Sequence, residues 1–275
     1  MRRWRWLKHD GLTLTMFLDL VFGVCSALAQ QTQPPTLEEI LSQLDRNLQH
    51  YQTNVPNLFC EEHVVSKLVY GEKHQVAATD SIFRLERRPD ADRAKNFVES
   101  REITAINGSP AKGSHIGGPA ILTGVFSRGL DAVSLSQTAC MHYALQPVKP
   151  ETLSHPYVVE FSTLPKNQRP STCLIDEGTG QVFVDRDTMQ VTRMELTVPH
   201  HVINPGEVGT WHISVSYAPV LLGGNTFWMP AAITSTATPT DTYVPTVWSF
   251  DARYTNYHKL EVTSRILPFG DSIAR

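Results

Sequence analysis

From Thr36 to Tyr51 the apolar residues recur at helical spacing. Leu37, Ile40, Leu41, Leu44, Leu48 and Tyr51 follow the i, i+3, i+4, i+7 rhythm, while Asp45, Arg46, Gln49 and His50 lie off that stripe. Thr36, with Glu39 three residues on, has the pattern of a capping box. Val55-Pro56 sets the far limit, because the residue before a proline is pushed out of the helical region. The spacing predicts an amphipathic helix of about four turns, and such a helix must lie on something apolar.

Beyond Pro56 the period changes to two. Strands are predicted over Phe59 to Tyr70, Lys73 to Arg87 and Asn96 to Ile106, with turns at Gly71-Glu72 and Asn107-Gly108. Arg88 to Arg93 interleaves arginines with aspartates and reads as a solvated loop, not a basic nucleic-acid patch. Ala111 to Gly118 is glycine-rich but lacks both phosphate-cradling spacings. It reads as a mobile loop leading into a second helix from about Pro119 to Leu135. Ile121, Leu122, Val125, Phe126 and Leu130 form that helix's apolar side.

Strands resume at Met141 to Gln146 and Tyr157 to Ser162. In GQVFVDRDTMQVTRMELTV (Gly180 to Val198), Val182 and Val184 alternate with Phe183, and Asp185-Arg186-Asp187-Thr188 breaks the run. Met194, Leu196 and Val198 then share a face opposite Arg193 and Glu195. That is strand, turn, strand. The paired aspartates read as a solvated corner instead of a catalytic or metal pair, with the Asp187 side chain bonding the backbone ahead. From Thr210 to Tyr217, Trp211, Ile213, Val215 and Tyr217 alternate with His212, Ser214 and Ser216. Asn225 to Thr238 is another strand, in which Pro230 marks an edge or a bulge. In the last segment Trp248, Phe250, Ala252, Tyr254, Leu260, Val262 and Ile266 share one parity, and Ser249, Asp251, Arg253, Lys259, Glu261 and Arg265 the other. It is too long for one flat strand, so a break near Asn256 is expected.

Strands with one wet face make an antiparallel sheet open to solvent on one side. The expected fold is α+β: a large curved antiparallel sheet of roughly nine or ten strands, its greasy concave face covered by the N-terminal helix and the inserted helix.

Composition adds compartment and exclusions. The chain has 275 residues, a formal net charge of −3 and 41% hydrophobic residues. That is enough for a real core, and the charge argues against nucleic acid as a partner. Arg2, Arg3, Arg5 and Lys8, then an apolar run from Leu12 to Val24, then Ala27-Leu28-Ala29, describe a cleaved secretory signal over residues 1–29. The run is shorter than the roughly 20 residues of a spanning helix and carries Asp19, so no transmembrane span is expected after cleavage. Trp4-Arg5-Trp6 fits a twin-arginine signal poorly, and Val24 before Cys25 disfavours lipidation. A linker (30–35) and a single domain (36–275) follow, exported to the periplasm or beyond. Cleavage removes Cys25 and leaves Cys60, Cys140 and Cys173 in an oxidising compartment. The sequence alone does not decide the pairing; Cys140 with Cys173 is favoured, since the two flank one hairpin-like region.

Catalytic patterns are absent. There is no GxSxG, since Ser127-Arg128-Gly129 lacks its flanking glycine, and no HExxH. Glu61 and His63 share a strand face without a recognisable partner. His200-His201 would hold a metal together only at a tight turn, and reads as a polar loop between strands. Cys60 or Cys173 as a nucleophile would need an activated thiolate. Trp228 and Trp248 suit core positions better than ligand-stacking platforms.

The order of elements resembles the LolA/LolB-like half-barrel superfamily, the outer-membrane lipoprotein carrier type, as a secreted bacterial relative. The resemblance rests on the signal, the leading helix TLEEILSQLDRNLQHY, the hairpin GQVFVDRDTMQVTRMELTV, and the closing segments WMPAAITSTATP and YTNYHKLEVTSRIL. The chain is longer than a minimal carrier, with additional loops at Gly113 to Gly118 and Asn204 to Gly209. The resemblance implies a concave apolar face able to hold a lipid or acyl chain, and it transfers no catalytic residue, metal or cofactor. Leu41, Leu44 and Leu48 of the helix, Met194 and Leu196 of the hairpin, and Trp228 are the candidate ligand-facing residues. The functional expectation is an exported, non-enzymatic envelope protein that binds an apolar ligand or a partner protein on its curved sheet. Two alternatives stay open: a secreted hydrolase with a loop-borne His/Asp site, and a structural or assembly subunit held by edge strands.

Overall fold

Helix α1 spans Leu37–Asn54, and Thr36 caps it as a capping box. The Thr36 hydroxyl accepts from the Glu39 amide at 3.3 Å, and the Glu39 carboxylate accepts from the Thr36 amide at 2.7 Å. Those bonds hold the Glu39 carboxyl below its ordinary pKa. Ile40, Leu41, Leu44, Leu48 and Tyr51 are buried as the stripe requires. The structure, a computed structural model, describes residues 34–87, 97–111, 124–147, 155–173, 177–204, 207–240 and 246–261. Every described helix and strand falls in the compact unit that begins at Thr36. The signal (1–29), residues 30–33 of the linker (30–35), the loop from Arg88 to Arg93 and the glycine-rich run at 113–118 lie outside the described residues.

Among the described residues eleven strands follow α1: β1 Leu58–Tyr70, β2 Lys73–Arg87, β3 Phe97–Ile106, β4 Ser109–Pro110, β5 Met141–Leu145, β6 Tyr157–Thr163, β7 Thr179–Val184, β8 Val191–Asn204, β9 Glu207–Leu222, β10 Asn225–Pro239 and β11 Thr246–Lys259. They form one open antiparallel sheet in the order β4-β3-β2-β1-β11-β10-β9-β8-β7-β6-β5. The sheet is thus two meanders joined where β1 pairs with β11, Leu58 opposite Lys259 and Tyr70 opposite Thr246. Alternate residues of β1 (Leu58, Cys60, Glu62, Val64 and Ser66) and of β2 (Ala77, Thr79, Ser81, Phe83 and Leu85) are buried on one face. The core that they form with α1 reaches from Phe83 on β2 to Val159 and Phe161 on β6.

Two irregularities expected from single residues are present. At Pro230 the β9–β10 register slips, a bulge inside the sheet, where a residue without an N–H does least harm. At Asn256, in left-handed conformation with φ 54°, β11 carries an extra residue opposite Phe59/Glu61. The Asn256 amide donates to the Glu61 carboxylate at 2.8 Å. A bulge reverses parity, so beyond it Tyr257, not the even-numbered residues, packs on the core.

Of the second helix, expected over Pro119 to Leu135, residues 119–123, with Ile121 and Leu122, lie outside the described residues. Among the described ones only Val125–Arg128 is α-helical (α2), and Gly129–Val133 and Leu135–Gln137 are tighter 3-10 turns. At Gly129 an added Cβ would meet the Tyr217 hydroxyl at 2.8 Å. The chain there is pressed onto β9 and follows the sheet surface instead of continuing a regular helix. His200 and His201 are strand residues of β8, not loop residues, and at the ends of the loop expected over Asn204 to Gly209, Asn204 is still in β8 and pairs with Glu207 of β9.

Candidate functional site

The apolar face is roofed by α1 and by a strap, residues 124–140, that connects toward β5. Phe126 is the strap's plug: it is 3% exposed, and its ring centroid lies 4.4 Å from that of Phe83 and 4.9 Å from that of Tyr254. Buried carboxylates hold the strap by its backbone. The Glu99 carboxylate of β3 accepts from the amides of Gly124 at 2.8 Å and Ser127 at 2.9 Å. Asp45 of α1 accepts from the Leu135 amide at 2.9 Å. Asp45 is off the helical stripe yet 9% exposed, because it serves the strap. At the strap's end Cys140 is joined to Cys173 in a disulfide.

Beneath Phe126 lies a charged pair within the core. Arg101 of β3 donates through Nε to both oxygens of Glu62, at 2.9 and 2.7 Å, and its guanidinium sits 4.8 Å from the Phe83 ring centre. The side chains are 7% and 1% exposed. Burial works against the guanidinium charge, but Glu62, Tyr254 and Glu99 outweigh it and hold Arg101 above its ordinary pKa. Burial, with Glu62 nearby, pushes the Cys60 thiol up to about 12, which makes it a core thiol and no nucleophile. Burial also raises the phenols of Tyr51 and Tyr217, whose hydroxyls have no hydrogen-bond partner among the described residues. Glu62, Glu99, Arg101 and Asp45 escaped the sequence reading. One signal was available: Glu62 shares the parity of Cys60 and Val64.

Of the candidate ligand-facing residues, Leu41, Leu44, Leu48 and Met194 are buried in the core, and Leu196 and Trp228 are half-buried against it. Leu44, Leu48 and Trp228 line one cavity with Tyr51, Leu130 and Phe227. Leu41, Met194 and Leu196 do not line it. Its volume is about 40 Å3. That holds a few waters at most, well below the roughly 300–1,000 Å3 of a ligand pocket.

The larger depressions are on the polar face. One of about 530 Å3 crosses β5 to β8, and one of about 260 Å3 continues over β8 to β10, sharing Glu195 and Thr197. Register sets their lining. His142, Ser162, Thr179, Thr197, His212 and Thr236 stand in one row across six strands. Ala144, Glu160, Gln181, Glu195, Ser214 and Thr234 stand in the next.

The aspartate corner is a turn, with one change of role. Asp185, not Asp187, accepts from the backbone ahead, taking the amides of Asp187 at 3.2 Å and Thr188 at 2.8 Å and the Thr188 hydroxyl at 2.8 Å. Those bonds lower its pKa. The histidines that a loop-borne hydrolase site would need are strand residues spread over β5 (His142), β8 (His200 and His201) and β11 (His258), and His201 stacks on Trp211 at 4.3 Å. Among the described residues no group of three His, Cys, Asp or Glu side chains gathers to hold a metal.

No family model matches the chain, and no curated protein matches it in sequence. Solved structures similar to it include a LolA superfamily protein from Nitrosomonas europaea, at 9% identity over 81% of this chain and 94% of that one, TM-score 0.34. A DUF1329 family protein from Desulfovibrio piger matches at 10% identity over 84% and 96%, TM-score 0.35. A domain named for outer membrane lipoprotein sorting, from Vibrio parahaemolyticus, matches at 8% identity over 78% and 90%, TM-score 0.32.

Proposed function

We propose that this chain is an exported, non-enzymatic binding protein whose apolar sheet face, read as the concave side of a half-barrel, receives a lipid or acyl chain when the strap lifts. The signal pattern of residues 1–29 supports export. The observation that carries the reading is a strap laid over a large apolar face. One aromatic plug, Phe126, the partly buried Val125 and Leu130, and two carboxylate caps, Glu99 and Asp45, fasten it, and the Cys140–Cys173 disulfide anchors its end. Withdrawing such a plug costs on the order of 2–3 kcal/mol, which a bound acyl chain would replace in kind. The cavity of about 40 Å3 admits no such chain while the strap is closed. Entry therefore needs movement of the strap instead of a standing pocket.

The test is organic extraction and native mass spectrometry of the purified protein, with uptake of a naphthylamine fluorescent probe. Wild type should retain lipid or take up the probe. Phe126→Ala should take up more. A lipid-free extract with no uptake by either protein sinks the reading. A filled interior also favours a second reading, an envelope protein in place of a lipid. A stoichiometric protein companion in a lipid-free preparation selects it.

A further inference from the structure

We propose that the polar face of the sheet binds a neutral oligosaccharide laid across β5 to β10. The depressions of about 530 and 260 Å3 share Glu195 and Thr197 and so form one continuous trough, of a size in which small ligands are held. Its chemistry narrows the occupant. None of its described lining residues is Lys or Arg. The arginine on the neighbouring row, Arg193, is paired with Glu195 at 2.7 Å. With Glu160 and Glu195 as the charged groups of the lining, the trough repels phosphates, sulfates and anionic lipid heads.

A protein or lipid partner is disfavoured for a different reason. Stable protein interfaces centre on aromatic or apolar anchors, and of the apolar side chains that border this trough Phe161 and Ile213 are buried in the core behind it, Leu196 packs against that core, and Ala144 carries one methyl. What the trough offers is a hydroxyl, amide, imidazole or carboxylate on each strand, repeated at the strand spacing of about 4.8 Å. A chain of sugars presents hydroxyls with similar regularity, each able to donate and accept.

The acceptors are also pre-set. The Glu160 Oε1 atom accepts from Gln146 at 2.8 Å and Gln181 at 3.4 Å. These amides fix the carboxylate, and its Oε2 faces no partner among the described residues. A fixed carboxylate oxygen forms a charge-assisted bond to a ligand hydroxyl. The Thr197 hydroxyl is tied to His212 at 2.9 Å, which orients a second contact where the two depressions meet.

Cello-, chito- and maltohexaose, titrated into the purified protein by calorimetry and followed by saturation-transfer NMR, test this. At least one should bind. Glu160→Gln should weaken it about ten-fold, and Thr197→Arg, which fills the trough from an outward-facing position, should abolish it with an unchanged thermal midpoint. Phe126→Ala, on the opposite face, should leave sugar affinity as it is. The proposal is overturned if all three sugars fail to bind wild type at millimolar concentration. Binding that survives both trough variants also overturns it, as does preference for a sulfated sugar or a basic peptide over the neutral sugars.

Discussion

Arg101→Met should be among the most damaging single substitutions outside the apolar core. It leaves the Glu62 carboxylate, 1% exposed, without the two bonds at 2.7 and 2.9 Å that satisfy it. Removing one member of a buried ion pair costs about 3–5 kcal/mol. Loss of the guanidinium from its place 4.8 Å from the Phe83 ring adds about 1 kcal/mol more. The expected total is about 4–6 kcal/mol, a fall in Tm on the order of 10 °C for a unit of this size. Urea unfolding followed by tryptophan fluorescence measures it. The partner variant Glu62→Met and the double variant complete a cycle. Because the cost comes from an orphaned charge and not from lost attraction, the double variant should recover most of the stability. An Arg101→Met variant within 1 kcal/mol of wild type would refute the reasoning, as would a double variant no more stable than the single one.

Three further outcomes follow from other contacts. Gly180→Ala should cost about 3 kcal/mol or more, because the new Cβ would lie 2.2 Å from the Glu195 carbonyl oxygen and 2.4 Å from the Phe161 ring; a melt within a few degrees of wild type would contradict that geometry. Replacing Cys140 and Cys173 with serine, a pair 33 residues apart, should lower stability by about 4 kcal/mol by the loop-entropy relation, read from urea midpoints. Asp185 has a folded pKa below its unfolded one, so its contribution is present above the ordinary carboxyl range and lost as pH falls through the lowered value. Asp185→Asn should therefore flatten the acid side of the stability–pH profile, and an unchanged profile would remove Asp185 from the account.

Much of the fold was legible because it depends on local chemistry. Thr36 and Glu39 announce a helix start that needs nothing from the rest of the chain. The alternation of Trp211, Ile213, Val215 and Tyr217 states which face is wet. Pro230 and Asn256 mark irregularities through a missing N–H and a tolerance for positive φ. What stayed hidden depends on meetings between distant segments. Asp45 looks like a solvent residue until the strap's Leu135 amide arrives 90 positions later. Glu62 and Arg101 lie 39 positions apart on different strands, and only the sheet places them together inside. The Val125 to Leu130 stripe encodes apolarity correctly, yet its regular helix yields to a close approach at Gly129. The trough was invisible for the same reason: its lining comes from six strands whose order no single stretch reveals.

The seam between β1 and β11 bears on how the chain reaches this state. β1 waits for β11: Leu58 finds Lys259 only when the chain between them is available. Contacts of such sequence separation form slowly, and until they form, β1 to β4 is an isolated meander with an unpaired edge. Synthesis from the N-terminus cannot bank a finished half. The sheet remains unlocked until β11 is made, and through that interval the N-terminal meander keeps an edge open to any other strand that reaches it.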